Sequence, residues 1–163
     1  EMCIRDRVDT NTLIMVGGND WSSAERWIEQ SDTLKFLKDP ANNLAFEAHV
    51  YFDKDASGTY KYSYEEEECY PEKGIDRVKP FVEWIKQNKF HGFIGEYGIP
   101  DNDPRWNETL DLFLGYLQEN GINGTYWAAG PWWDTYFMAI TPKDGKDRPQ
   151  MPIIEKYTST LKK

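Results

Sequence analysis

The sequence predicts an α/β fold in which parallel strands alternate with helices. Four short apolar runs of strand length begin near residues 12, 44, 92 and 124, and a segment with helical spacing of apolar residues follows each of them. Strand–helix alternation of this kind requires a parallel sheet, because each helix returns the chain to the start of the next strand. The 163 residues suit one domain, and they contain no linker or low-complexity segment.

The first unit opens with a continuous apolar run at 12–17 that ends in Gly-Gly. Such a run is typical of a strand buried on both faces. The sequence Ser-Ser-Ala-Glu at 22–25 matches a capping box, which predicts a helix from about residue 23. Ser-Asp at 31–32 predicts a break in that helix, and Pro40 predicts its end.

The second strand is predicted over 44–52, followed by a long loop at 53–72 that carries four consecutive glutamates. Strand alternation places Glu47, His49 and Tyr51 on one face. We expect Glu47 to support the interior of the fold, or alternatively to orient a neighbour. The acidic run is interpreted as a solvated surface.

The third and fourth units follow the same rules. A helix should start or kink near Pro80, because proline removes a helical hydrogen bond. Asp103 and Pro104 predict a helix start, and Gly121 predicts the end of that helix. The other predicted elements are strands at 92–97 and 124–129 and a last helix from Pro152 to about Leu161.

Glu96 closes the strand at 92–97 and is the chemically most informative residue of the chain. Simple alternation puts it on the face of Ile94, opposite to Phe93 and Gly95. A carboxylate at the end of a buried strand needs a partner or a chemical role. The two interpretations are a structural ion pair and a catalytic group at the mouth of an α/β barrel.

Polar or aromatic side chains follow the end of all four predicted strands, which indicates one shared site at a barrel mouth. A glutamate with histidine, tyrosine and tryptophan neighbours favours glycoside hydrolysis, in which aromatic rings stack on sugar rings. No serine or cysteine nucleophile with a base stands out, and no phosphate-binding glycine loop is visible. The candidate site residues are Asn19 and Trp21, His49 and Tyr51, Glu96, and Trp127 with Trp132 and Trp133.

Composition narrows the class of partner. The formal net charge of −9 and the lack of a basic run argue against nucleic acid. No apolar stretch approaches the roughly 18 residues of a membrane span. Aromatic residues make up 15% of the chain, which suits a surface that binds the flat faces of sugars. No cofactor is expected.

Two cysteines, Cys3 and Cys69, do not form a disulfide framework, and no metal site is predicted. Asp53, Asp55 and Ser57 weakly resemble a calcium loop. The glycine of this stretch is misplaced, however, and no closing glutamate stands at the required spacing.

Four motifs, in this order and spacing, resemble the C-terminal half of a family 5 glycoside hydrolase of the cellulase (endo-β-1,4-glucanase) type. The resemblance covers about residues 12–162. The motifs are Gly-Gly-Asn-Asp-Trp-Ser at 17–22, His-Val-Tyr at 49–51, Ile-Gly-Glu-Tyr-Gly at 94–98 and Tyr-Trp-Ala at 126–128.

The resemblance implies a TIM-type (β/α)8 barrel of which strands five to eight are present. It also implies a retaining mechanism on a β-linked polysaccharide such as cellulose or β-glucan. Glu96 would be the nucleophile, His49 and Tyr51 would hold it and the sugar, and Trp127 would lie under that sugar. Asn19, Trp21, Trp132 and Trp133 would contact substrate from loops.

One essential group of the family is missing from the match. The family's general acid/base follows an asparagine at the end of strand four, and this chain begins after that point. The only Asn-Glu pair, at 107–108, lies in the first turn of a predicted helix and is rejected. A full barrel needs about 250 residues. We therefore expect the isolated chain to be inactive without an N-terminal half.

Residues 1–7 look like translated sequencing-adaptor read-through, so residues 8–163 are interpreted as the half-barrel. The full-length protein is expected to be secreted. Other possibilities are a mannanase or xyloglucanase of the same family, a non-catalytic carbohydrate-binding module, and a truncated chain without function. Binding of glucan without any need for Glu96 would indicate the binding module.

Overall fold

The computed structural model describes residues 8–158, and it confirms the parallel sheet in which strand order follows chain order. Residues 1–7 and Leu161 of the predicted last helix lie outside the described residues. The four strands are β1 (Ile14–Gly17), β2 (Leu44–His49), β3 (His91–Tyr97) and β4 (Asn123–Tyr126).

The helices follow the strands as predicted, and their apolar sides pack on one face of the sheet. They are α1 (Trp27–Ser31), continued by a 3-10 turn (Asp32–Phe36), then α2 (Lys73–Asn88), α3 (Arg105–Glu119) and α4 (Met151–Thr158). The core between sheet and helices is rich in aromatic rings. Its fully buried members include Trp27, Phe46, Trp84, Ile94, Leu110 and Phe113.

The predicted capping box is wrong, because α1 begins only at Trp27. The hydroxyl of Ser22 instead accepts the backbone N–H of Gly18 at 2.6 Å. Asp20, Trp21 and Ser22 have φ values of 54°, 52° and 56°, so the chain makes a left-handed turn here. Left-handed backbone costs a non-glycine residue roughly 1–2 kcal/mol. Three successive residues of this kind persist only because the surrounding contacts stabilise the turn.

Helix α2 starts at Lys73, seven residues before Pro80. Of the two predicted possibilities, a start or a kink near Pro80, the start is therefore wrong. The proline lies inside the helix and removes one hydrogen bond to the turn before it. Burial of Val78, Phe81 and Val82 around it, all at 0% exposure, offsets that loss. The burial of apolar side chains at helical spacing therefore stabilises the helix more than Pro80 destabilises it.

Helix α3 ends as the sequence predicts. Gly121 adopts φ = +65°, and its N–H donates to the carbonyl of Gln118 at 3.1 Å. The N–H of Ile122 donates to the carbonyl of Leu117 at 3.0 Å. These two bonds form a Schellman motif, which returns the chain directly into β4.

The second face of the sheet has no helix over it within residues 8–158. Leu13 and Met15 are 48% and 44% exposed on the side that faces away from the helices. In a closed barrel this face forms the packed interior. The chain thus has the layers of half a TIM barrel, with its interior side open. None of the helices within 8–158 has the length and apolar character to cross a membrane.

Candidate active site

A β-bulge in β3 sets the direction of Glu96, and this corrects the prediction from simple alternation. Ala48 pairs with Ile94, but the next residue, His49, pairs with Glu96, so Gly95 is the extra residue of β3. The bulge leaves Ile94 in the core, whereas Gly95 and Glu96 both turn to the barrel side. Bulges of this kind re-aim side chains next to active sites.

Glu96 meets two of its predicted partners. The Tyr51 hydroxyl donates to Oε2 of Glu96 at 3.0 Å, and Nδ1 of His49 lies 3.6 Å from the same oxygen. The Glu96 side chain is 30% exposed, so a ligand can reach it. Because both contacts reach Oε2, Oε1 is the oxygen left for a ligand.

Their surroundings shift the pKa values of Tyr51 and His49, the two residues that contact Glu96. Burial and the charge of Glu96 raise the pKa of Tyr51, which keeps its hydroxyl protonated as a donor. Burial alone would lower the pKa of His49. The hydrogen bond and charge of Glu47, together with the charge of Glu96, outweigh burial and raise it. The two carboxylates therefore make His49 easier to protonate than an ordinary histidine.

Helix α2 and the loop at 53–72 together hold Tyr51 in place. Arg77 donates to the backbone carbonyl of Tyr51, and Gly58 packs so closely that a Cβ there would lie 3.0 Å from the Tyr51 ring. Asp53 accepts the backbone N–H groups of Gly58, Thr59 and Tyr60 and is 1% exposed. Its carboxylate is thus the internal anchor of the loop.

These hydrogen bonds give Asp53 a structural role in the stretch that weakly resembles a calcium loop. Within residues 8–158, no group of three or more histidine, cysteine, aspartate or glutamate side chains is arranged to hold a metal ion.

Trp127 lies where β4 ends, and its backbone N–H donates to the backbone carbonyl of Tyr97 at 2.8 Å. Its ring centroid lies 5.1 Å from that of Trp133, which in turn lies 5.0 Å from Tyr136. Trp132 is 89% exposed beside them. The structure therefore groups these aromatic rings on one loop after β4, and such rings suit the faces of sugars.

The two predicted residues after β1 behave differently from each other. Trp21 is 86% exposed and lines a cleft of about 460 Å³ together with His49, Tyr51 and Glu96. The Asn19 side chain donates to the carbonyl of Gln30 at 2.8 Å, so it ties β1 to α1. A role in substrate contact stays a prediction for both.

Sequence reasoning gave too little weight to Glu47. Its side chain lies on the barrel side, as expected, but Oε1 lies 2.6 Å from Nε2 of His49. The shared strand face was the available signal. The sequence carried no signal for Tyr136, whose ring packs against Trp133, because it lies in an irregular segment without a periodic pattern.

Comparison with known proteins identifies the family. Residues 3–132 match the model "Cellulase (glycosyl hydrolase family 5)". A probable endo-beta-1,4-glucanase B of Aspergillus kawachii is 37% identical over 159 residues, covering 94% of this chain and 46% of that protein.

Solved structures agree with this match. Pseudomonas stutzeri endoglucanase Cel5A in complex with cellobiose superposes with a TM-score of 0.86 at 44% identity, over 96% of this chain and 47% of that one. A structure of XacCel5A in complex with cellopentaose gives 0.83 at 39% identity, over 95% and 51%.

The fold and the site define a half-barrel of glycoside hydrolase type. The chain belongs to glycosyl hydrolase family 5, the cellulase family. It spans about half the length of the relatives it matches.

Proposed function

We propose that this chain supplies the nucleophile half of a retaining endo-β-1,4-glucanase. The observation that carries the proposal is the set of contacts on Glu96, in which Tyr51 and His49 both reach Oε2. These contacts fix the carboxylate and leave Oε1 to attack the anomeric carbon. The bond to the leaving sugar oxygen then breaks as the glycosyl–Glu96 ester forms, and water later hydrolyses the ester.

Trp127 forms the floor under the reacting sugar in this proposal. Trp21, Trp132 and Trp133 extend the aromatic surface along a glucan chain. The substrate class is supported by the relatives, whose structures hold cellobiose and cellopentaose. Because such a polymer is too large to enter a cell, the complete enzyme acts outside it.

The general acid must come from a second half-barrel. A retaining enzyme needs a second carboxyl group about 5–5.5 Å from the nucleophile. The other cleft carboxylates are already engaged: Asp20 pairs with Arg26, and Glu25 lies 3.4 Å from Arg77. Hydrogen bonds from Ser57 lower the pKa of Asp55, the opposite of what an acid requires.

The test uses a chimeric barrel, in which this chain replaces the C-terminal half of Pseudomonas stutzeri endoglucanase Cel5A. Glu96→Gln keeps the shape of the side chain and removes the nucleophile. We expect kcat on soluble cellulose to fall by several orders of magnitude, with binding of glucan little changed.

Glu83→Gln is the matched control, because Glu83 is exposed on α2 and pairs only loosely with Lys79 at 3.9 Å. It should leave kcat unchanged. If the Glu96→Gln chimera keeps more than about a tenth of its turnover, its activation free energy has risen by less than about 1.4 kcal/mol. The nucleophile would then be another group.

A further inference from the structure

Three side chains form a row along the barrel side of β2 and β3. Oε1 of Glu47 lies 2.6 Å from Nε2 of His49, and Nδ1 of His49 lies 3.6 Å from Oε2 of Glu96. Their side chains are 19%, 28% and 30% exposed. The imidazole ring thus has a carboxylate near each of its nitrogens, and Glu47 does not line the cleft that His49 and Glu96 share.

The backbone around Glu47 is shaped to receive its carboxylate. A Cβ on Gly95, the bulge residue, would lie 1.6 Å from Oε1 of Glu47. A Cβ on Gly17 would lie 3.5 Å from Oε2 and 2.9 Å from the Ser22 hydroxyl. That hydroxyl donates to Oε2 at 3.4 Å. Gly95 therefore leaves the space that the Glu47 carboxylate occupies, and Ser22 supplies a hydrogen bond to that carboxylate.

We propose that Glu47 is a positioning residue for the reaction: it fixes the His49 ring so that Nδ1–H points at Oε2 of Glu96. Gly95 is its structural complement, because only a residue without a side chain leaves space for the Glu47 carboxylate. This inference rests on the proposed role of Glu96 as nucleophile.

A purely structural role for Glu47, as filler of the barrel interior, makes a different prediction. A filler can be replaced by an isosteric amide without consequence for His49. A positioning carboxylate cannot, because the amide introduced by Glu47→Gln carries no charge and presents a donor or an acceptor according to its rotamer. The cleft lined by His49 and Glu96 is also lined by the Tyr51 side chain and by further charged groups: Asp20, Glu25, Asp55, Arg26 and Arg77.

The first test is an NMR titration of the histidine side chains. The chain contains two histidines, so His91 on the exposed start of β3 provides an internal reference signal. Glu47→Gln should lower the pKa of His49 and leave the His91 titration unchanged, since only His49 contacts Glu47. An unchanged His49 titration would overturn the proposal.

The second test measures kinetics in the chimeric barrel. Glu47→Gln should lower kcat by about 10- to 100-fold, the usual cost of removing such a supporting partner. KM should change little, because Glu47 lies behind His49 and does not reach the sugar. Glu83→Gln again serves as the control, and unchanged kcat in Glu47→Gln would contradict the proposal.

The third test uses the fit between Glu47 and Gly95. Gly95→Ala should lower kcat much as Glu47→Gln does, because the new methyl group displaces the carboxylate. In a Glu47→Ala background the same Gly95→Ala change should have little further effect. An equal loss in both backgrounds would show that Gly95 acts independently of Glu47.

These outcomes separate the two levels of the account. If Glu96→Gln abolishes turnover but Glu47→Gln changes neither the His49 titration nor kcat, only the positioning role fails. If Glu96→Gln keeps turnover, the proposed function itself fails, whatever Glu47 does.

Discussion

At the scale of single residues, the raised pKa of His49 makes stability depend on pH. Burial alone would lower the pKa of His49, but the hydrogen bond and charge of Glu47 and the charge of Glu96 together outweigh burial and raise it. The folded protein therefore binds the His49 proton more tightly than the unfolded chain does. This contribution to stability is fully present below the ordinary histidine pKa of about 6.5, and it is lost as pH rises through the folded value.

We therefore expect the free energy of unfolding of the chimera to exceed that of its His49→Gln variant most at acid pH. The difference should shrink as pH rises through the folded pKa of His49. Urea denaturation across that range measures it, with His91→Gln as the control. A difference that grows with pH would contradict the raised pKa.

The direction of Glu96 shows where residue-level sequence reasoning fails. The position of this carboxylate at the end of a strand was enough to predict that it is important. The face of the sheet to which it points was not predictable, because the pattern along β3 alone cannot reveal an extra residue relative to β2. Gly95 was the available signal, since isolated glycines in strands often mark bulges.

At the scale of elements, the loop after β4 depends on Arg148. Its guanidinium pairs with Asp101 at 2.6 Å and also donates to the carbonyls of Asp134 and Thr141 at 3.0 and 3.3 Å. The side chain is only 10% exposed. This clamp holds the segment that carries Trp132 and Trp133.

Arg148→Lys keeps the charge but loses the planar set of donors. We expect it to lower the free energy of unfolding of the chimera by roughly 1–3 kcal/mol and to raise KM more than it lowers kcat. Arg105→Lys is the control, because Arg105 is 44% exposed in its pairs with Asp103 and Glu65. Exposed pairs contribute about 0–1 kcal/mol, so equal effects of the two variants would argue against the clamp.

Strand order, helix order and the end of α3 were predictable from the sequence, because hydrophobic periodicity and Gly121 report local geometry. The starts of α1 and α2 were not. The Ser22 hydroxyl is used by Gly18, and tertiary packing around Pro80 carries the helix through the proline. A hydrogen bond to a residue four positions earlier decided the first case, and tertiary packing decided the second.

At the scale of the whole molecule, the sheet formed by the described residues leaves its barrel side uncovered. Leu13 and Met15 are exposed where a closed barrel buries such side chains, and β1 and β4 each have one unpaired edge in the four-stranded sheet. Open edges and apolar faces favour self-association.

We expect the 163-residue chain alone to show no appreciable hydrolysis of soluble β-glucan. If the general acid comes from a second half-barrel, as proposed, catalysis worth about 10²–10⁴-fold is absent from the chain alone. Mixing with a separately made N-terminal half of Pseudomonas stutzeri endoglucanase Cel5A should restore some cleavage. Hydrolysis by the purified chain alone, abolished by Glu96→Gln, would show that it contains its own acid.

The central claim is that Glu96 forms the covalent bond to the sugar, and trapping that bond tests it most directly. The chimeric barrel is incubated with a fluorinated cellobioside that carries a dinitrophenolate leaving group, and its peptides are analysed by mass spectrometry. The account predicts one fluorocellobiosyl group on the peptide that contains Glu96, released on transfer to cellobiose and absent in Glu96→Gln. Label on another residue, or turnover with inversion of the anomeric centre and no label, would contradict it.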